Sequence, residues 1–135
     1  MGTRWVRAQP EIVAVLRHEL ADELLADGVS PTIVDDAVLV VSELVGNSIR
    51  HALALPTGQL AVSWERRAGG LTISVTDGGG LQAPVVRDAT PCDTGGRGLS
   101  IVAALTDFWG VSHGPDTVTV WAHVPTPMPA PLVPA

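Results

Sequence analysis

Near the start of the chain, apolar residues return every four positions, at Ile12, Leu16, Leu20 and Leu24. That spacing marks one stripe of an α-helix, with Pro10 tolerated at its beginning and Gly28 placed to end it. Ser30-Pro31 then reads as an N-cap followed by proline at the first helical position, with Asp35 and Asp36 near the positive end of the helix dipole. This second helix is predicted to run to about Ala54, before Pro56, with Val34, Val38, Val41, Val45 and Ala52 on its apolar face. Glu43, Asn47 and His51 are four apart and form one polar row on a different face.

The period then changes from four to two. Leu60, Val62 and Trp64 alternate with small or polar residues, as do Leu71, Ile73 and Val75, which predicts two strands. Ala68-Gly69-Gly70 joins them as a hairpin, and the second strand ends at Asp77. From Gly78 to Gly95 there is no lasting periodicity, and a loop of this length inside a compact domain suggests a lid. Helical spacing returns at Leu99, Val102 and Leu105. Two strands follow, near 108–112 and 117–124, around a His113-Gly114-Pro115-Asp116 turn. Proline at every second or third position from 125 to 135 reads as an extended, disordered tail. The chain is thus expected to hold one domain, 1–124, and a tail, 125–135. Helices set apart from hairpins predict an α/β (α+β) two-layer sandwich, in which about three helices cover one face of a mostly antiparallel mixed sheet.

Composition narrows the function classes. The 135 residues carry 8 Lys and Arg against 14 Asp and Glu, a net charge of −6. Binding to nucleic acid or an anionic membrane asks for a basic surface, so neither is expected. Cys92 is the single cysteine; no internal disulfide can form, and a reducing compartment fits. No run of about 18 apolar residues suggests a membrane span. A cytoplasmic protein is expected.

Three stretches carry chemistry. In Glu43-Leu44-Val45-Gly46-Asn47-Ser48-Ile49-Arg50-His51-Ala52, a carboxylate and a carboxamide lie one helical turn apart. Asn47 offers a neutral oxygen to a hard cation such as Mg²⁺, and Glu43 is left to accept a proton from a hydroxyl or water. Taken alone, an ordinary solvated helix face explains the same residues. In Val75-Thr76-Asp77-Gly78-Gly79-Gly80, a strand-end aspartate can accept a hydrogen bond from an exocyclic amine, and the glycines admit a flat ring or a phosphate. A plain Asp-Gly turn is the alternative. Gly95-Gly96-Arg97-Gly98-Leu99 opens a helix with free N–H groups that suit phosphate, aided by Arg97, or is simply a hinge. No lysine-bearing phosphate loop of the G-x-x-x-x-G-K-[ST] type is present.

Together and in this order, the three stretches resemble the boxes of the GHKL, or Bergerat-fold, ATPase superfamily, over roughly Pro10 to Val124. Glu43–Ala52 is similar to its N box, Asp77-Gly78-Gly79 to its G1 box and Gly96-Arg97-Gly98-Leu99 to its G2 box. Trp109-Gly110-Val111 and Thr119-Val120-Trp121-Ala122 extend the likeness toward bacterial anti-sigma factor serine/threonine kinases. The resemblance implies ATP and Mg²⁺ as cofactors, Glu43 as general base and Asn47 as Mg²⁺ ligand. It implies Asp77 as acceptor for the adenine amino group, with Gly79 beside the base, Thr119 near Asp77, and Gly96, Arg97, Gly98 and Leu99 around the phosphates. Arg50 and His51 complete the expected pocket, His51 from the helix end. The implied partners are a sigma factor and an antagonist of the sulfate-transporter/anti-sigma-antagonist (STAS) type; a homodimer is left open. A non-catalytic ATP-dependent binding module is the alternative. Two residues depart from the pattern: relatives often carry a basic residue where this chain has Val118, and an acid where it has His123.

Overall fold

The computed structural model of the chain describes residues 2–51, 58–67, 69–78 and 96–126. In chain order the elements are β1 (Gly2–Arg7), α1 (Ile12–Ala26), α2 (Pro31–His51), β2 (Gln59–Arg67), β3 (Gly70–Asp77), α3 (Gly96–Leu105), β4 (Phe108–His113) and β5 (Val118–Pro125). The described strands form a five-stranded sheet of order β1-β2-β3-β5-β4. All four pairings are antiparallel. The parallel component of the expected mixed sheet is reduced to a direction: β3 and β4 run the same way, but β5 occupies the space between them.

The helices form as their sequences specify. Leu16, Leu20 and Leu24 of α1 are buried, one stripe against the sheet. α1 ends at Gly28, whose φ of +82° suits glycine. The Gly28 N–H donates to the Leu25 carbonyl and the Val29 N–H to the Leu24 carbonyl, both at 3.0 Å. These two bonds make a Schellman cap, closed by the buried Val29 and Leu24. α2 begins after Ser30, whose hydroxyl accepts from the Ile33 N–H at 3.5 Å. Asp35 and Asp36 fall in its second turn; the first turn holds no acid, so their support for the helix dipole is lost.

Alternation along the strands puts Leu60, Val62, Trp64, Leu71, Ile73, Val75, Val120, Ala122 and Val124 in the core beneath the helices. Trp64 belongs to the core, and Trp109 packs against it. Trp121 does not: it lies at an odd position of β5, on the face away from the helices, and is half-buried.

Two features differ from expectation. β1 was not anticipated, because in Gly-Thr-Arg-Trp-Val-Arg only Val6 packs against the core. The strand is held by pairing to β2 and by Arg4, which reaches Glu19 and Glu23 and lies 4.0 Å over the Trp64 ring. At the other end, Pro125 pairs opposite Gly70, and the Thr126 N–H donates to the Gly69 carbonyl at 3.2 Å. β5 thus takes in Pro125, since proline is tolerated at a strand end. Ala52, Ala68, Cys92, the expected lid and the tail beyond 126 lie outside the described residues.

Candidate nucleotide site

The buried stripe of α2 runs through Val34, Ala37, Val41, Leu44, Val45 and Ser48. A serine on an apolar stripe needs a partner, and it has one. The Ser48 hydroxyl donates to Asp77 Oδ2 at 3.2 Å, joining the C-terminal half of α2 to the last residue of β3. Both are almost fully enclosed, each 2 % exposed. Burying a carboxylate is costly without such donors.

Asn47, the next residue back, is 5 % exposed. Its Oδ1 is buried and finds no hydrogen-bond donor among the described residues. This settles one alternative from the sequence: the residue is not part of a solvated helix face. An enclosed carboxamide oxygen without a donor costs about 1–3 kcal/mol, and such groups are rare enough to need a reason. A hard cation, or a ligand bearing one, supplies that reason. Among the described residues no cluster of three His, Cys, Asp or Glu side chains could hold a metal alone. Asn47 Oδ1 is thus one protein oxygen that a hard cation could take, and Mg²⁺ commonly keeps waters and phosphate oxygens among its other ligands.

Glu43 stands one turn before Asn47 and is half-buried, which leaves its carboxylate reachable. Arg50 is exposed and folds its guanidinium back across the helix. Its Nη1 lies 3.1 Å from where a Cβ on Gly46 would stand, so Gly46 is what lets it approach. His51 is the last residue of α2, and its side chain lies outside the described residues. α3 starts at Gly96, so the amides of Gly96, Arg97 and Gly98 form its free first turn, and α3 packs on α2. The side chains of Arg97 and Leu99, and all of Gly79, lie outside the described residues.

Thr119 is one register step from Asp77, but the two-residue period of strands sends it to the other face. There its hydroxyl pairs with that of Thr76 at 2.6 Å. The residue directly across from Asp77 is Val118, buried on the helix side of the sheet. Hence the structure joins Ser48 to Asp77, with Asn47 next to Ser48 in α2, Glu43 one turn before it and Val118 across from Asp77, while the Thr119 hydroxyl turns to the other face. Ser48 is the member that motif reading passed over, although its place on the apolar stripe could have revealed it.

A groove of about 420 Å³ lies between α1 and the N-terminal half of α2, lined by Ala21, Leu25, Val34 and Val38 with Arg17 and Asp35. Volume alone would favour it as a ligand site. It contains no buried polar atom lacking a partner, so the chemistry points to the other half of α2.

A model of the histidine kinase-like ATPase domain matches residues 6–123. The crystal structure of the RsbU and RsbW domains of Rv1364c from Mycobacterium tuberculosis superposes with a TM-score of 0.67 at 21 % identity, covering 96 % of this chain and 34 % of that one. This chain therefore spans about a third of that protein chain. The SiaB–SiaC complex from Pseudomonas aeruginosa matches with a TM-score of 0.60 at 13 % identity, covering 93 % and 89 % of the two chains. No curated protein matches. At these identities the structures speak for the fold, while the family model spans residues 6–123, most of the chain. The chain belongs to the histidine kinase-like ATPase domain family.

Proposed function

We propose that the chain binds Mg-ATP between α2, the end of β3 and the start of α3, and transfers the γ-phosphoryl group to a serine or threonine of a partner protein. The observation that carries this reading is the enclosed, donor-less Asn47 Oδ1 beside the Ser48–Asp77 link. Asp77 would accept from the adenine amino group, with Ser48 fixing the rotation of its carboxylate. Gly79 would border the ring. The first-turn amides of α3, with Arg97 and Leu99, would receive the phosphates. Arg50 and His51 would flank them from the end of α2. Thr119 would stand near Asp77, one register step along β5. Bound Mg²⁺, held on Asn47, would supply charge neutralisation between the phosphates.

Phosphoryl transfer asks mainly for alignment and charge stabilisation. Glu43, one turn from Asn47, would take the proton from the attacking hydroxyl. The oxygen then bonds to the γ-phosphorus while the bond to the β–γ bridging oxygen breaks and ADP departs. The partner most in keeping with the family resemblance is a STAS-type antagonist, with a sigma factor as the protein held in check. Among the described residues no helix is long and apolar enough to cross a membrane.

A second reading is an ATP-dependent binding module without transfer. Val118 favours it, because a buried valine stands across from Asp77 where relatives often place a cation. One assay separates the two. Incubation with γ-labelled ATP, Mg²⁺ and a STAS-type protein should label a serine or threonine, and Glu43→Ala should abolish the label while ATP binding persists. Label that survives Glu43→Ala would refute the base assignment, and a partner that is bound but never labelled would establish the module instead.

A further inference from the structure

The groove between α1 and the N-terminal half of α2 is apolar and open. Ala21, Val34 and Val38 line it along its length, and Leu25 and Pro31 stand at its mouth, where α1 ends and α2 begins. Leu25 is 50 % exposed there. Arg17 on the rim adds N–H donors without closing the groove.

This mouth lies at the end of the molecule where the described chain stops. Pro125 pairs opposite Gly70, and the Thr126 N–H donates to the Gly69 carbonyl, so β5 ends at the β2–β3 hairpin. The turn between α1 and α2 sits at the same end, because Arg66, beside that hairpin, pairs with Asp27, the C-cap of α1, at 3.4 Å. α2 starts there and packs over β3 and β5. The chain therefore leaves β5 on the side of the groove's mouth.

Residues 127–135, Pro127-Met128-Pro129-Ala130-Pro131-Leu132-Val133-Pro134-Ala135, carry no charge, in a chain whose net charge is −6. Their prolines fix φ in advance, so less freedom is lost on docking than an ordinary segment would lose. Proline also lacks an N–H, which leaves carbonyls in excess of donors, and an arginine on the rim suits such a backbone. The reach fits as well. Climbing the helical layer takes about 10–12 Å, and Pro31 to Val38 is about 10 Å of helix. Nine residues of extended, proline-rich chain cover about 28 Å at about 3.1 Å each. The climb uses the first three or four of them, which brings Leu132 and Val133 into the groove.

We infer that the proline-rich end of the chain folds back over the helical layer and seats Leu132 and Val133 in this groove, against Val34 and Val38. The nucleotide site lies toward the other end of α2 and lends it no residue, so the inference holds whatever that site binds.

Paramagnetic relaxation in the full chain tests it. A nitroxide is attached at Ala130→Cys, with Cys92→Ser removing the other thiol. The backbone amides of Ala21, Val34 and Val38 should broaden, while those of Thr3 and Ser63, on β1 and β2, should stay sharp. The broadening should persist on dilution. Leu132→Asp puts a charge into the apolar seat and should lower the docked-to-free ratio at least about tenfold. Leu25→Asp, at the mouth, should act likewise; its half-exposed position spares the fold, which circular dichroism verifies. Groove amides that stay sharp overturn the inference, as does broadening that neither variant reduces. Broadening that fades on dilution, or that arises only between a spin-labelled chain and a second, isotope-labelled one, also overturns it, because the groove then takes the end of another copy.

Discussion

Asn47, Ser48 and Asp77 show how far residue-level chemistry can be read before a fold is known. The spacing of Glu43, Asn47 and His51 marked a row on one helix, and the helix forms where expected, with Asn47 in it. Burial was not legible: a row of Glu, Asn and His is equally at home in water, and only the sheet packed beneath α2 shows Asn47 to be enclosed. Ser48 escaped notice because serine is unremarkable on a helix until its stripe is known to face the core. The link it makes is specific enough to test. Ser48→Ala removes the donor to Asp77 Oδ2, and loss of a hydrogen bond to a buried charged group costs about 1.5–3 kcal/mol. Urea unfolding should show a loss of that size. ATP affinity should fall with it, since Asp77 Oδ2 loses one of the groups that orient it. Unchanged stability would mean that the Asp77 carboxylate does not depend on Ser48.

At the scale of elements, helices and hairpins were legible because their periods and punctuation are local: Gly28 ends α1, and the glycines at 69 and 70 turn β2 into β3. β1 was not, because what holds it is remote in sequence. Its inward positions carry Arg4 and Val6 instead of an apolar series, and Arg4 finds its partners on α1 and β2. Glu23 sits at the middle of this clamp, accepting from Trp64 Nε1 and pairing with Arg4. Burial works to raise its carboxyl pKa, yet the hydrogen bond from Trp64 and the charge of Arg4 prevail and hold it below the ordinary value. A carboxyl depressed in the folded state binds fewer protons there than in the unfolded chain. Its contribution is therefore complete above the usual glutamate value of about 4.3 and is lost as pH falls through the lower folded value. Glu23→Gln should lower stability near neutrality and flatten the decline between about pH 5 and the acid limit. Thermal unfolding followed against pH checks this; a variant curve parallel to the native one would contradict the assignment.

For the whole molecule, the two layers followed from the element order, whereas the strand order did not. Nothing local in the sequence says that β5 inserts between β3 and β4. That insertion has a consequence for the site. It sets Val118 across from Asp77 and sends Thr119 to the far face, so a single register step decides which side chain joins the pocket. The far face is left with paired hydroxyls and flat-lying rings, while the chemistry gathers where the end of β3 meets the C-terminal half of α2.

The central claim is that the enclosed Asn47 oxygen exists for a cation that arrives with a nucleotide. Isothermal titration of the folded chain with ATP, with and without Mg²⁺, measures this directly. The account predicts one ATP per chain, dependence on Mg²⁺, and an affinity at least about tenfold weaker in Asn47→Ala, a loss of about 1.4 kcal/mol. The stability of that variant should not fall, because the removed oxygen was unsatisfied. An absence of heat with Mg-ATP, or equal affinity in Asn47→Ala, would contradict it.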